Sequence, residues 1–253
     1  MKSKIAAIIQ ARIGSTRLPQ KAMLKILNKP LLGYMIDQVK RSKNIDEIIV
    51  ATSENNENNT IRSFCKKYRI KCYSGSEINL VERYCDAAKF FGVNTIVRLT
   101  SDCPLIDPQI IDKCLEKYIS SEYDFVANTS PPYNSSYPDG MDVEIFSYNT
   151  LEYINRVCKN QLDLEHVTPF IWRKNSFFKL FKCNHKKNLS HYRLTIDYME
   201  DFKLLKKIII HFMKNKINIS LENIDNFLKK NENIYAINKK RNKKYKSSIE
   251  RNI

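Results

Sequence analysis

Apolar positions along this chain keep two different rhythms. Ile5-Ala-Ala-Ile-Ile9 is a continuous apolar run, and Ile48-Ile-Val-Ala51 and Thr95-Ile-Val-Arg-Leu99 are close to it in character. Runs of this length, rich in β-branched residues, predict strands buried on both faces of a parallel sheet. Between them the rhythm changes. Leu31, Leu32, Met35, Ile36 and Val39 recur at helical spacing after Pro30, a proline suited to a first helical position. Glu57 to Tyr68, with Ile61, Phe64 and Cys65 on one face, predicts a second helix, and Leu80 to Phe91 a third. Asp107 followed by Pro108 caps a fourth, through Ile110, Ile111, Cys114 and Leu115. Strands alternating with helices predict an open α/β sheet, with ligands at the carboxyl ends of the strands.

The middle of the chain is less regular. Ser130 to Gly140 is rich in Pro, Ser, Asn and Gly and predicts a loop. Asp142-Val-Glu-Ile-Phe146 alternates as a half-buried strand does. His191-Tyr-Arg-Leu-Thr-Ile-Asp197 predicts a strand ending on an acid, and Glu200 to Lys214 a helix. No internal repeat or linker interrupts residues 1–238, which predicts one domain followed by a basic tail, residues 239–253.

The net charge is +16, but it is uneven. The tail places Lys239, Lys240, Arg241, Lys243, Lys244, Lys246 and Arg251 against Glu250 alone, a pattern of solvated segments that also suits RNA or an anionic surface. No stacking-aromatic motif accompanies it, which counts against RNA. The remaining charge suits a protein that handles phosphates. The seven cysteines form no CxxC pair and no zinc spacing, and no stretch is long and apolar enough for a signal peptide or membrane span. Reduced thiols and a cytoplasmic location are the expectation.

Four polar clusters carry candidate chemistry. Gln10-Ala-Arg-Ile-Gly-Ser-Thr-Arg-Leu-Pro-Gln-Lys21 follows the first strand and holds Arg12, Arg17 and Lys21 beside Gly14 and Ser15. Fixed cations and backbone amides of a tight loop suit a polyphosphate, although the spacing is neither a Walker loop nor a dinucleotide fingerprint; a solvated basic loop is the plainer alternative. Asp102 follows the strand at 95–99 and can hold magnesium, or serve as a turn residue. Asp197 ends the predicted strand 191–197, and two carboxylates at strand ends can share one such ion, whereas Glu200 and Asp201 suit the first turn of a helix. Asp139, Asp142 and Glu144 flank a turn and suit sugar hydroxyls, or a solvated edge. Glu165 and His166 offer an acid/base pair, or a structural contact.

Together, the loop 10–21, Leu80-Val-Glu-Arg-Tyr84, Arg98-Leu-Thr-Ser-Asp-Cys-Pro-Leu-Ile-Asp107, Pro138-Asp-Gly-Met-Asp-Val-Glu144, Glu165-His-Val-Thr168 and Leu194-Thr-Ile-Asp197 resemble the cytidylyltransferase family that includes CMP-sialic acid and CMP-Kdo synthetases. The branch most like it is the one named for spore coat polysaccharide biosynthesis protein F. The resemblance spans roughly residues 3 to 240 and includes Asn233-Ile-Tyr-Ala-Ile-Asn238. It implies an α/β fold with a mixed, mostly parallel open sheet flanked by helices, of the nucleotide-diphospho-sugar transferase or Rossmann-like kind. It also implies CTP, magnesium, a small acidic or phosphorylated sugar-like acceptor and a homodimer.

By the same resemblance, Gln10, Ala11, Arg12, Gly14, Ser15, Arg17, Lys21, Arg83, Arg98 and Ser101 would meet the nucleotide. Asp102 and Asp197 would bind magnesium; Arg12, Lys21 and Asp102 would be catalytic; Asp139, Asp142, Glu144 and His166 would meet the acceptor. The chain departs from the family pattern with Ser101 and Gln20 where glycine is common, and with Asn79 near a usual acid. A guanylyl- or uridylyltransferase would use the same phosphate loop.

Overall fold

In the computed structural model, residues 3–130, 135–174 and 176–242 are described. The first half alternates as its apolar rhythm predicts. β1 (Ile5–Gln10) is followed by a small hairpin, β2 (Lys25–Ile26) with β3 (Lys29–Pro30), and then α1 (Leu31–Val39). β4 (Glu47–Ser53), α2 (Asn59–Lys67), β5 (Lys71–Gly75), α3 (Leu80–Phe90), β6 (Thr95–Thr100) and α4 (Pro108–Ile119) continue the alternation. β7 (Phe125–Ala127), β8 (Glu144–Ser147), α5 (Tyr148–Val157), α6 (Gln161–His166), α7 (Pro169–Arg173), β9 (Leu180–Lys182), α8 (Met199–Lys214), α9 (Leu221–Lys230) and α10 (Glu232–Tyr235) complete it.

The strands form one seven-stranded sheet in the order β5-β4-β1-β6-β8-β7-β9. β5, β4, β1 and β6 run parallel, β8 is antiparallel to both β6 and β7, and β9 is parallel to β7. The sheet is therefore mixed and mostly parallel. Alternate residues of β1 feed two cores: Ala7 and Ile9 pack toward α1, α4 and α8, while Ala6 and Ile8 pack toward α3 and α5. Because both faces are covered, the central strands read as unbroken apolar runs.

Two strand expectations need correction. Asp142 to Phe146 is not half-buried: β8 starts at Glu144 and lies between β6 and β7, with Val143 and Ile145 in one core and Phe146 in the other. Its alternation separates two buried faces. Residues 191–197 form no strand; their one ladder contact is an isolated bridge between Asp139 and Arg193. Tyr192, Leu194 and Ile196 are buried in the core, while Thr195 and Asp197 line a cleft. That division mimics a strand in sequence, although the segment crosses the strand ends without joining the sheet. The predicted loop at Ser130 to Gly140 falls partly on residues 131–134, outside the described residues.

Backbone conformation at two positions constrains the site. Gly140 has φ +101, and a Cβ there would meet the Leu194 carbonyl carbon and the Thr195 nitrogen at 2.3 Å. Only glycine lets the turn approach the chain that carries Asp197. Gln20 is left-handed, with φ 57 and ψ 22, where the family commonly has glycine; Ser101 is not among the residues with positive φ. A left-handed L residue costs about 1–2 kcal/mol, against about 0.5–1 kcal/mol for the extra freedom of an unfolded glycine. Gln20→Gly is therefore expected to raise the melting temperature slightly, and a lowered one would contradict the strain.

Candidate active site

The polar clusters meet at the carboxyl ends of β1 and β6. There a cleft of about 860 Å³ opens, within the range of small-ligand sites. All the nucleotide, metal and acceptor residues named from the sequence line it.

The loop after β1 is tied down from outside itself. The Ile13 amide donates to Asn58 Oδ1 (2.9 Å), and Asn58, fully buried, donates to Ser53 Oγ (2.6 Å). The Ser15 amide turns inward to the Ile13 carbonyl (2.7 Å), so Ser15 offers the cleft its hydroxyl rather than an N–H. Arg12 and Arg17 remain about half exposed, Arg12 with Glu77 at 3.5 Å.

Lys21 reaches across to the acids. Its ammonium donates to Asp102 Oδ2 at 2.7 Å and to Asp197 Oδ1 at 3.0 Å, and Arg17 also meets Asp197 Oδ1 at 2.7 Å. Carboxylates 95 residues apart in sequence thus converge on one cation. Burial works against the Lys21 charge, but Asp102 and Asp197 outweigh it and hold its pKa above the ordinary 10.5. Burial likewise works against the Asp102 carboxylate, and Lys21 overcomes it, keeping its pKa below 3.8. A pair of hard oxygen donors gathered around a positive charge fits magnesium, which takes one or two protein carboxylates and completes its shell with phosphate and water.

A second cation, Arg193, lies beneath this pair and is 2% exposed. It contacts Asp139, donates to Asp197 Oδ2 at 2.7 Å and reaches Asp201 Oδ1 at 3.3 Å. No motif points to Arg193; its one signal is an arginine inside the mostly apolar run Tyr192 to Ile196. Asp201, read as a first-turn residue, also accepts from the Asp197 and Tyr198 amides, each at 3.0 Å.

Asp139 and Asp142 complete an acidic floor. Burial and then repulsion from Asp142 raise the Asp139 carboxyl well above its ordinary range, with Arg193 only partly offsetting them. Asp142 is raised by burial against hydrogen bonds from Thr129 and the Gly140 amide. A carboxyl raised on folding costs stability above its folded pKa, and the cost fades as pH falls through it. The protein free of divalent ions is thus expected to gain thermal stability as pH is lowered from neutral toward the ordinary carboxylate range, and Asp142→Asn to flatten the slope. Uniform loss of stability over that window would contradict the assignment.

Glu144 behaves differently from its neighbours. It pairs with Arg98 directly across the β6–β8 ladder, and its other oxygen accepts from Ser130 and from Thr168 (2.8 Å). Arg98 in turn donates to Gln10 Oε1 at 3.0 Å. Glu144 therefore braces Arg98 and Gln10. Thr168 reaches it through a strained turn: Val167, fully buried, has φ 69 and ψ −55, and the Thr168 amide donates to the His166 carbonyl at 2.8 Å. This γ-turn is rare for a β-branched residue and marks a backbone held by its surroundings. His166 sits exposed at the rim, its pKa lowered by partial burial and Arg98 against the pull of Glu165. Arg83 is 1% exposed and donates to the carbonyls of Ser76 (2.6 Å) and Glu77 (3.0 Å), so its charge holds the neighbouring loop in place.

The tail begins as helix. Residues 239–242 are helical after a turn at 236–238, Arg241 pairs with Glu200 at 2.9 Å, and Asn242 lines the cleft. Residues 243–253, the rest of the predicted basic tail, lie outside the described residues. Among the described residues no helix is long and apolar enough to cross a membrane.

Comparison with known proteins agrees with this arrangement. An uncharacterized protein of Methanocaldococcus jannaschii is 36% identical over 237 residues, covering 93% of this chain and 94% of its own length. Spore coat polysaccharide biosynthesis protein SpsF of Bacillus subtilis is 29% identical over 81% of this chain and 85% of its own. A 3-deoxy-manno-octulosonate cytidylyltransferase of Geobacter metallireducens is 31% identical over 46% of this chain and 45% of its own. A solved cytidylyltransferase structure from Leptospira borgpetersenii serovar Hardjo-bovis superimposes with a TM-score of 0.86 at 34% identity, covering 92% of this chain and 97% of the other. Residues 6–243 match the sequence model of the family described as Cytidylyltransferase. The protein, with its basic loop facing two convergent carboxylates, belongs to the cytidylyltransferase family of nucleotidyltransferase enzymes.

Proposed function

We propose that the chain transfers CMP from CTP to a small acidic or phosphorylated sugar-like acceptor, releasing pyrophosphate, in the synthesis of a surface polysaccharide or glycoconjugate. The observation that carries this reading is the convergence of Asp102 and Asp197 on Lys21, beside a loop with two half-exposed arginines. An acceptor oxygen forms a bond to the α-phosphorus while the α-phosphorus bond to the bridging β-phosphate oxygen breaks, and a hydroxyl acceptor passes its proton to solvent. Asp102 and Asp197 would hold magnesium, which would supply fixed positive charge against the phosphate oxygens. Arg12, Arg17 and Lys21 bind the triphosphate and offset the charge that builds on departing pyrophosphate. Gln10, Ala11, Gly14, Ser15, Arg83, Arg98 and Ser101 shape the nucleotide side of the cleft. Asp139, Asp142 and His166 face the acceptor, with Glu144 beside them bracing Arg98, Gln10 and Thr168. Orientation supplies much of the rate, because the chemistry needs only two reactants held in line.

The same reading takes the enzyme as a cytoplasmic homodimer, on the family likeness. Calorimetric titration with CTP, UTP, GTP and ATP in the presence of magnesium tests the nucleotide. CTP is expected to bind at least about tenfold tighter than the others, a difference of about 1.4 kcal/mol. Tightest binding of GTP or UTP would replace this reading with a guanylyl- or uridylyltransferase.

A further inference from the structure

The chain that carries Asp197 is irregular, so something other than a sheet must hold its carboxylate in place. Its backbone is anchored below by the Leu194 amide on the Asp139 carbonyl (2.7 Å) and the Ile196 amide on the Asp102 carbonyl (2.9 Å). Arg193 then fixes Asp197 Oδ2, leaving Oδ1 toward Lys21, Arg17 and the cleft.

The remaining constraints come from the end of the chain. Asn238 is 2% exposed, and its side-chain amide donates to the Arg193 carbonyl at 3.0 Å and to Asp201 Oδ1 at 2.8 Å. It therefore grips both the backbone of Arg193 and the acid that meets the Arg193 guanidinium. Asp201 relays that grip to the Asp197 amide. One turn later Asn242, 5% exposed, donates to the carbonyls of His191 (2.7 Å) and Ser190 (3.3 Å). Between them Arg241 pairs with Glu200 and lies 4.2 Å from the ring centroid of Tyr198, the residue after Asp197. Every one of these contacts lands on residues 190–201.

We propose that residues 238–242 form a clasp that positions Asp197 for the divalent cation, with Asn238 and Asn242 as positioning residues that never touch the ion. This rests on the magnesium reading above. Partners that orient a metal ligand typically change metal affinity 10–100-fold when removed. The asparagines suit the task chemically. Each donates its side-chain amide to a backbone carbonyl of the irregular chain, and neither adds charge to a site already crowded with acids.

The test is a calorimetric titration of the full chain with Mn2+ as probe, beside steady-state kinetics over a series of Mg2+ concentrations. Asn238→Ala is expected to weaken Mn2+ binding about 10–100-fold and to raise the Mg2+ concentration for half-maximal rate similarly, with kcat largely recovered at saturating Mg2+. Asn242→Ala, a change nearer the rim, tests the clasp if Asn238→Ala fails to fold; it is expected to shift the same quantities in the same direction by a smaller factor. Mn2+ binding that Asp197→Ala abolishes but both asparagine variants retain at full strength would overturn the clasp and leave the metal site standing. Wild-type protein that binds no Mn2+, or binds it as well after Asp197→Ala, would overturn the magnesium reading and the clasp with it.

Discussion

Asp102→Ala is expected to lower turnover with CTP about 10³-fold, with little recovery at high Mg2+. Asp102 sits just past β6, and its carbonyl accepts from Ile196, so its carboxylate is fixed against the same segment that carries Asp197. Removing it leaves Lys21 to neutralise Asp197 alone and takes away one of two oxygens gathered where magnesium is proposed. Asp197→Ala is expected to do the same from the other side. Initial rates of pyrophosphate release over a range of Mg2+ check both, and near wild-type turnover in either variant would exclude that side chain from the metal site.

Lys21→Met is expected to act on both rate and stability. Turnover should fall about 10²-fold, the loss typical of one cation or donor aimed at developing charge. Stability of the nucleotide-free protein should fall by about 2 kcal/mol, less than for a fully buried pair because the side chains of Lys21 and Asp102 are 15% and 24% exposed. The pH dependence follows from the two shifts. The Asp102 share is present above its ordinary 3.8 and is lost as pH falls through the lower folded value. The Lys21 share is present below its ordinary 10.5 and is lost as pH rises through the higher folded value. The stability gap between wild type and Lys21→Met should therefore stay level across the neutral range and close only toward the extremes. Mg2+ should narrow it at neutral pH, because a divalent cation can replace the missing ammonium between the two acids. A gap that Mg2+ leaves unchanged would contradict a shared site.

The legible parts of this protein are those governed by local rules. β1, β4, β6 and the helices at 31–39, 80–90 and 108–119 follow from apolar runs and helical spacing, and Asp107 caps its helix through the Gln109 amide at 2.9 Å as its position before Pro108 suggests. The short strands β7 and β9 carry no such signal, because three residues cannot display a period. The 191–197 segment misled for a physical reason: one face packs on a core and the other lines a cleft, which gives alternation without a ladder. The basic loop 10–21 and its two distant acids are visible as motifs. What binds them into a site was not. Asn58, Arg193, Asp201 and Asn238 each have a partner more than 35 residues away, and their geometry exists only once the sheet has brought the strand ends together. Glu144 shows the converse: its motif marks it as a polar group of the cleft, while its cross-strand pairing with Arg98 makes it a brace.

The central claim is that this cleft joins CMP to an acidic or phosphorylated sugar-like acceptor. The direct measurement is phosphorus NMR of the protein incubated with CTP, Mg2+ and, in turn, a panel of acidic sugars and phosphorylated small molecules. The account predicts pyrophosphate that appears only with CTP and an acceptor together, in step with a new phosphodiester signal for a sugar hydroxyl or a new diphosphate signal for a phosphorylated acceptor. Pyrophosphate released at the same rate without any acceptor, or from UTP or GTP as readily as from CTP, would contradict it.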